Sequence, residues 1–426
     1  MINLSELDYK KIILAILILI VTLGLLFGLV WLFFLRDNGV EPTEQVVTVT
    51  PGGTLPISGS GDGVNVVGPG GRLTGETPVT VDDFYDADGN LRLAEIANGS
   101  ITVVNSLLDE VVSDINASGV GLSFLSGEDN KFYYLGSDGK KILLSQEAFP
   151  FVDEVVWSND SNKIVLSYPD GSNIYYDFTK NKKVSLPAGA ENFSFDSNSD
   201  NIAYKFVNNT SENNWLVVTD IQNNQMLPVE HLGDNGGSVQ VSWSPNNQVV
   251  ALYHEATGLA SEEVFFLGLN DENFRSLKVN GSNFKGIWSP GGDRILYHVI
   301  NPDNNYNPLL AIADANGDNI GNHNFILGLT TWVDKCTFAS DNTTVYCAVP
   351  VNLPTGAGMY PELVNKSEDV FYKIDLVTGV STLIAYPVLS AELDKFQVNK
   401  LLVSEDGTKL YFWDNWTEKI YSMRLR

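Results

Sequence analysis

A short phrase recurs along the last two-thirds of the chain, and it constrains the fold more than any other feature. Each copy is an aromatic or apolar residue that ends one strand, a polar turn, and a β-rich run. The copies begin at Trp157, Phe195, Trp243, Trp288, Phe338 and Val403. They are separated by roughly 40 to 65 residues, and self-similarity near that period with several short strands per unit is typical of a β-propeller.

Each unit continues into a third strand that ends in an aspartate, followed by turn residues and a fourth strand. The aspartates are Asp177, Asp220, Asp314 and Asp375, and an aspartate there can bond the backbone two residues further on. A seventh unit without the turn phrase lies upstream, because residues 132–144 match residues 174–186 position for position. Its earlier strands are expected at 101–105 and 120–125, with 107–115 as a loop or short helix.

The last unit has only three strands, expected at 397–403, 408–413 and 418–425. A strand at 91–96 is expected to supply its outer strand, because strand exchange between the two ends leaves no open edge at the seam. The sequence therefore predicts an all-β, seven-bladed β-propeller of four-stranded antiparallel blades within residues 81–426. Six or eight blades are the alternatives, because blade one is degenerate. The blades are expected at about 100–149, 152–187, 190–230, 236–279, 283–328, 330–386 and 395–426.

The turn phrase resembles the TolB-like, WD40-like propeller repeats of bacterial envelope proteins. The resemblance covers roughly residues 91–426 and rests on copies such as Trp243-Ser244-Pro245 and Trp288-Ser289-Pro290. Proline stands in only these two copies, so the chain is similar to a divergent member of that family. The resemblance implies a fold and an extracytoplasmic setting, whereas function has to be argued from a site.

An uncharged apolar stretch precedes the propeller. Residues 12–35 contain no charged residue, and a helix of that length exceeds the roughly 30 Å of a bilayer's hydrocarbon core. A cleaved signal peptide is the alternative, but its apolar region is shorter and ends in small residues. Lys10 and Lys11 precede the stretch, which places residues 1–11 in the cytoplasm and the propeller outside, on a single-pass cell-membrane protein. Residues 36–80, rich in Gly, Pro and Thr, are expected to be a flexible linker.

The chain is strongly acidic, with a formal net charge of −26. Residues 37–426 carry a formal charge of −27, because residues 1–36 have three basic and two acidic residues. A nucleic-acid partner is excluded on this ground, because phosphate contacts need a basic footprint. Adsorption of the propeller to anionic lipid is disfavoured for the same reason.

Several residues invite a binding role and are better explained by structure. Trp157, Trp243 and Trp288 recur once per blade and are expected to fill the wedge between neighbouring sheets. His254 and His298 occupy equivalent positions on adjacent blades, but a zinc site needs a third ligand, and His231 and His323 lie on unrelated loops. Residues 86–90 and 314–318 resemble fragments of calcium loops, and both are expected to be hairpin turns.

No recognisable catalytic motif is present, and the sequence predicts a protein that is not an enzyme and needs no cofactor. There is no Gly-x-Ser-x-Gly elbow and no cysteine beside a suitable histidine. A weakly bound structural calcium stays open. Glycosidase carboxylates could still be present among the 52 acidic residues.

Cys336 and Cys347 flank the turn of one predicted hairpin. If Ala339 faces Thr344 across the four-residue turn, the two cysteines are direct cross-strand neighbours. A disulfide is then one of two outcomes, free thiols being the other. In an oxidising compartment the bond would contribute about 2–3 kcal/mol for so short a loop.

The longest departure from the repeat is an insertion at residues 350–368. It presents Leu353, Met359, Tyr360 and Leu363 among glycines and prolines. Long loops on a rigid scaffold are where partner contacts concentrate, so these four residues form the candidate partner-binding loop. A self-packing or disordered flap is the alternative.

Taken together, these features predict a membrane-tethered extracytoplasmic protein-interaction scaffold whose partner is another envelope or surface protein. The runner-up is a cell-surface glycan-binding protein with hydrolase or lyase chemistry in the propeller funnel. A structural surface protein without a dedicated ligand is the third hypothesis.

Overall fold

Seven sheets follow one another along the chain in the computed structural model, which describes residues 91–426 except 209, 224, 271, 365–366 and 390–393. The predicted helix at 12–35, the linker at 36–80 and the turn at 86–90 lie outside the described residues. Within the part of the chain that is described, no helix has the length and apolar character needed to cross a membrane.

Two short strands come before the first blade, and each joins a sheet from the far end of the chain. They are β1 (Ser100–Val103) and β2 (Asn105–Ser106). Each of the first four blades is an antiparallel meander of four strands. Blade one has β3 (Val112–Ser118), β4 (Gly121–Ser126), β5 (Phe132–Leu135) and β6 (Lys141–Leu143). Blade two has β7 (Glu154–Trp157), β8 (Lys163–Ser167), β9 (Asn173–Asp177) and β10 (Lys182–Ser185). Blade three has β11 (Ala190–Phe195), β12 (Asn201–Phe206), β13 (Trp215–Asp220) and β14 (Gln225–His231). Blade four has β15 (Val239–Val241), β16 (Ala251–Gly258), β17 (Ser261–Leu267) and β18 (Leu277–Val279).

The remaining three blades follow the same plan, and the last takes its fourth strand from β2. Blade five has β19 (Ser282–Trp288), β20 (Arg294–Asn301), β21 (Asn307–Asp314) and β22 (Phe325–Ile326). Blade six has β23 (Cys336–Phe338), β24 (Thr344–Pro350), β25 (Asp369–Asp375) and β26 (Val380–Val388). Blade seven has β27 (Val398–Val403), β28 (Lys409–Asp414) and β29 (Ile420–Arg424). Short 3₁₀ helices cover Ser211–Asn213, Gly233–Ser238, Pro302–Asn304, Gly317–Asn319, Val333–Lys335 and Pro361–Val364.

The predicted seven-bladed propeller of four-stranded antiparallel blades is confirmed. A hydrophobic cluster fills each junction between neighbouring blades, including the junction between blades seven and one. The tryptophans contribute as expected: Trp157 packs edge-on against Phe132 of blade one, and Trp288 packs against Phe266 of blade four. Burial between sheets therefore stabilises the ring.

The seam is closed by the N-terminal side of the chain, but not by the residues that the sequence indicated. The fourth strand of blade seven is β2, in which Asn105 pairs with Ser422 and Ser106 with Tyr421. The expected closing strand at 91–96 is wrong. Within that range Ala94 forms a single bridge to Thr102.

Two further expectations for blade one are wrong. Residues 101–103 belong to β1, which runs parallel to β26 as a fifth strand on the outer edge of blade six. The innermost strand of blade one is β3, which begins inside the region 107–115 expected to be a loop or short helix. Its buried Val112 and Ile115 face the core, but this strand lacks the turn phrase that marks the others.

The antiparallel plan gives the ring two different faces. Turns between the first and second strands of each blade lie on one face, here called the turn face. Loops between the second and third strands lie on the other, the insert face, because residues 351–368 connect β24 to β25 there. On the turn face, contacts between turns cross every junction: Ser161–Ala117, Asn159–Asp196, Ser197–Asn247, Asn246–Gly292, Gly291–Asn342, Ser340–Glu405 and Glu405–Gly119.

Candidate functional site

The described residues of the insertion, 351–364 and 367–368, form a loop that is fixed to blade five. The amides of Gly356 and Gly358 donate to the carbonyls of Asn305 and Tyr306, at 2.8 and 3.0 Å. The Ala357 amide donates to Oδ1 of Asn307 at 3.2 Å. These bonds hold the middle of the insertion against the loop between the second and third strands of the neighbouring blade.

The end of the insertion is bonded to blade seven. Nε2 of Gln397 donates to the Val364 carbonyl at 2.8 Å, and the Gln397 amide donates to Oδ1 of the buried Asp414 at 2.7 Å. The base is closed by a bond of 2.9 Å from the Val351 amide to the Glu368 carbonyl. With contacts on both neighbouring blades, the insertion has the support that a docking surface needs.

The structure separates the four candidate residues of this loop into two groups. Leu353 faces inward and packs against a small cluster of Trp332, Ala357 and Val364. Met359, Tyr360 and Leu363 are 46%, 59% and 50% exposed. Leu353 therefore supports the loop, while the other three residues face solvent.

Tyr306 extends this exposed surface, and sequence analysis did not identify it. It is 48% exposed, and its carbonyl accepts the Gly358 amide, so it lies beside the loop. Its φ is +55°, a left-handed conformation that bulky residues rarely adopt and that is enriched at functional sites. We refer to Tyr306, Met359, Tyr360 and Leu363 as the apolar platform.

A buried ion pair supports the base of the insertion. Nζ of Lys335 lies 3.0 and 2.8 Å from the two carboxylate oxygens of Asp369, whose side chain is fully buried. The Val398 amide also donates to Asp369. Burial raises the pKa of Asp369, and Lys335 opposes that rise. The ion pair joins the first residue of β25, where the insertion ends, to the residue that precedes β23 in the same blade, and the Val398 bond joins it to blade seven.

A second polar feature of the insert face is found on the innermost strands. Three positions before the aromatic or apolar residue of the turn phrase, every copy carries a polar residue. They are Glu154, Asn192, Gln240, Lys285, Lys335 and Lys400. This recurrence of polar residues is visible in the sequence, but it indicates a common site only once the innermost strands are known to surround one channel.

The strand pairing is irregular close to several of these polar residues. The register between first and second strands shifts at Val112/Asp114, Glu191/Ser194, Ser282/Lys285 and Val398/Lys400. Bulges of this kind redirect side chains and are common near functional sites.

Five charged residues form what we call the channel cluster: Asp114, Glu154, Lys285, Asp334 and Lys400. Lys400 lies 3.1 Å from Asp114, and Lys285 lies 2.8 Å from Asp334. The indole N–H of Trp157 also donates to Asp114 at 2.6 Å. Glu154 remains without an ion-pair partner among the described residues.

The electrostatic environment of Glu154 shows that the members of the cluster act on one another. Desolvation raises the pKa of the Glu154 carboxyl, and Asp153 and Asp114 add to the rise, whereas Lys285 and Lys400 oppose it. These residues come from blades one, two, five and seven, so the cluster spans the channel. Glu154 is itself exposed, and an exposed carboxylate with a raised pKa and no ion-pair partner is a candidate binding or acid–base group.

The histidines considered for zinc have separate partners. Nδ1 of His254 lies 3.4 Å from the Glu262 carboxylate. His298 is buried, and its Nδ1 accepts the Val333 amide at 3.2 Å. His323 lies 2.7 Å from Asp314, beside the turn at 314–318. Across the described residues, no three His, Cys, Asp or Glu side chains are grouped so as to hold a metal ion.

Cys336 and Cys347 are direct cross-strand partners in β23 and β24, and a disulfide joins them in the structure. The Ala339 amide donates to the Thr344 carbonyl across the turn, at 2.8 Å. Both cysteines are buried in the cluster between blades five and six. They strengthen the blade that carries the insertion.

No family model and no curated protein sequence matches the chain. Its fold is similar to the β-propeller domain of Swd1 from Myceliophteria thermophila, at 12% identity and a TM-score of 0.50, over 76% of this chain and 98% of that one. Oligogalacturonate lyase from Vibrio parahaemolyticus is 10% identical with a TM-score of 0.47, covering 78% and 99% of the two chains. At such identities the Swd1 domain shows the fold alone, and the chain is a seven-bladed β-propeller.

Proposed function

We propose that this chain is a non-enzymatic scaffold, tethered to the cell membrane, that binds another envelope or surface protein through its insert face. The apolar platform is the observation that carries the proposal. It presents three large side chains on a loop bonded to blades five and seven, with Tyr306 of blade five beside them. Because the loop is already ordered, a partner would lose little affinity to ordering it.

The composition of the platform favours a protein partner. Tyrosine and methionine are enriched in the cores of protein–protein interfaces, where a few buried aromatic anchors contribute most of the affinity. Tyr306 and Tyr360 would be such anchors. Asn304, Asn352 and Glu362 lie close to them in the sequence and could form the polar rim.

The membrane setting is part of the proposal. It is supported by the uncharged stretch at 12–35, by the resemblance of the turn phrase to TolB-like repeats, and by the Cys336–Cys347 disulfide, which suits an oxidising compartment. The helix would hold the propeller near its partner and raise the local concentration. Non-reducing peptide mapping of protein from native membranes tests the compartment, and two free thiols would argue against it.

The test of docking is cross-linked capture of the full-length chain from native membranes. A variant with Met359→Ser, Tyr360→Ser and Leu363→Ser should lose a partner that the wild type recovers near stoichiometry. The matched control is Met226→Ser with Leu227→Ser, because these residues of β14 are similarly exposed, at 52% and 53%. If the platform variant retained the partner, or the control lost it, docking at the platform would be refuted.

Glycan recognition is the second candidate, and the channel cluster is the observation that favours it. Asp114 and Glu154 are carboxylates at one mouth of the ring, and a carboxyl with a raised pKa suits acid–base chemistry on sugars. A glycan array probed with the full chain tests this reading. Glycan binding that persists in the platform variant but disappears in Glu154→Gln would replace the docking proposal.

A further inference from the structure

The channel cluster has one negative charge more than it has positive charges. It contains three carboxylates and two ammonium groups, and each lysine is paired with one carboxylate, Lys285 with Asp334 and Lys400 with Asp114. Glu154 is the remaining carboxylate, and desolvation raises its pKa. A cation placed beside Glu154 would balance the cluster and favour the ionised carboxylate.

The channel cluster and the apolar platform are neighbours on the insert face. Asn283 lies two residues before Lys285 on β19, the innermost strand of blade five. Its Nδ2 is 4.0 Å from Sδ of Met359. A ligand that covers Met359 therefore borders the strand that carries Lys285 of the channel cluster.

We propose that the docked partner inserts a lysine ammonium group into the channel mouth, onto Glu154, while flanking apolar residues cover the platform. This inference rests on the proposed docking function and names the chemistry of the partner, a basic segment with aromatic or aliphatic neighbours. The formal charge of −26 on the chain favours association with such a segment, because opposite charge steers encounter.

Lysine suits the cluster better than arginine or a metal ion does. An ammonium group is compact and donates three hydrogen bonds in different directions, so it can contact Glu154 from several angles. Arginine would bind Glu154 through a planar fork, which fixes its direction of approach more narrowly. Metal ions require several acidic or histidine ligands in one group, and the described residues provide none.

The experiment is selection from a displayed library of random octapeptides against the full-length chain in mild detergent. We expect wild-type protein to enrich peptides with one lysine flanked by aromatic or aliphatic residues. Glu154→Gln should abolish the preference for lysine and keep the preference for apolar residues. Glu147→Gln is the matched control, because it removes the same charge from an ion pair outside the channel, Glu147–Lys183.

The outcomes separate the two proposals. Enrichment of apolar peptides without lysine in the wild type would overturn the lysine inference and leave docking at the platform standing. No enrichment from a correctly folded chain would overturn both. Lysine enrichment that survives in Glu154→Gln, or is lost in Glu147→Gln, would overturn the role of Glu154. Melting curves of each variant check that it folds.

Affinity measurements on the best peptide complete the test. Replacing its lysine with norleucine should weaken binding to the wild type by about tenfold and leave binding to Glu154→Gln nearly unchanged. Binding to the wild type should also weaken as the pH falls through the raised pKa of Glu154, because the protonated carboxyl loses its charge. Equal weakening of binding to the wild type and to Glu154→Gln would show that the peptide's lysine contacts a group other than Glu154.

Discussion

Nδ2 of Asn246 donates to the Gly292 carbonyl at 2.8 Å, and this bond joins the turn phrase of blade four to that of blade five. Gly292 has φ +67°, and a Cβ at this position would lie 2.8 Å from the Asn246 backbone nitrogen. The contact leaves no room for a side chain at Gly292. It belongs to the set of contacts that crosses every junction on the turn face.

Asn246→Ala should lower the free energy of unfolding by about 1–2 kcal/mol, because it removes the bond to Gly292 and the bonds that its Oδ1 accepts from Ser244 Oγ and the Gln248 amide. Urea unfolding of the full chain measures the loss. Asn399→Ala is the control, since the Asn399 side chain is exposed and makes one long bond of 3.4 Å to Asn415. Equal stability of the two variants would show that the contacts between turns contribute nothing to the ring.

Gly358→Ala should displace the insertion from blade five. A Cβ at this position would lie 2.6 Å from the Tyr306 carbonyl oxygen and 2.9 Å from Cγ1 of Ile300. We expect a loss of stability of about 1–3 kcal/mol from overpacking, measured by thermal unfolding, together with loss of the captured partner. Gly237→Ala is the control because no atom lies within 4 Å of the added Cβ. If Gly358→Ala kept both its thermal stability and the captured partner, the insertion must rearrange to accommodate the added methyl group.

Lys335→Met should destabilise the protein strongly, because it leaves the Asp369 carboxylate buried without its cation. The expected loss at neutral pH is about 3–5 kcal/mol, and Lys335→Met with Asp369→Asn should lose less than the single variant. Urea unfolding measures both.

The pH dependence of the stability loss in Lys335→Met gives a further test of the ion pair. Burial raises the pKa of Asp369, and removal of Lys335 should raise it further, so protonation relieves part of the loss as the pH falls. The control is Lys140→Met. Lys140 forms an exposed pair with Asp138 at 3.8 Å, so its replacement should leave the free energy of unfolding unchanged. A small loss that is the same at pH 7 and pH 5 would mean that Asp369 does not depend on Lys335.

His298 should make the protein less stable in mild acid. Burial lowers the pKa of His298 to about 4, and its Nδ1 accepts a backbone amide, which requires the neutral ring. The stabilisation is full above the ordinary pKa of about 6.5 and is lost as the pH falls toward 4, by up to about 1.4 kcal/mol per pH unit. Urea unfolding at pH 7, 6 and 5 should show a flatter profile for His298→Gln. His231→Gln, at an exposed histidine, should keep the wild-type slope.

The sequence was sufficient for the fold because the propeller repeats a local signal. The turn phrase places a strand end, a turn and a strand start in each copy, and the pairing of Cys336 with Cys347 followed from counting across one such turn. Blade one and the seam were assigned wrongly for a related reason. β3 has no turn phrase, and β2 is two residues long, so its pairing depends on a strand at the far end of the chain.

The candidate site was only partly accessible from the sequence. The insertion was visible as an interruption of the repeat, but composition could not show that Leu353 faces inward while Tyr306 of another blade joins the platform. Both facts depend on which neighbouring loops the insertion contacts. The channel cluster was hidden because its members lie on different blades, far apart in the sequence.

The pairing of Asn105–Ser106 with Ile420–Arg424 also sets an order of events during synthesis. The first partner leaves the ribosome long before the second, by on the order of 15–60 s at the usual 5–20 residues per second. For that time the apolar flank of blade one has no neighbour at the seam, and it exposes surface that promotes aggregation. Until blade seven is made, a protease would meet an open arc rather than a ring.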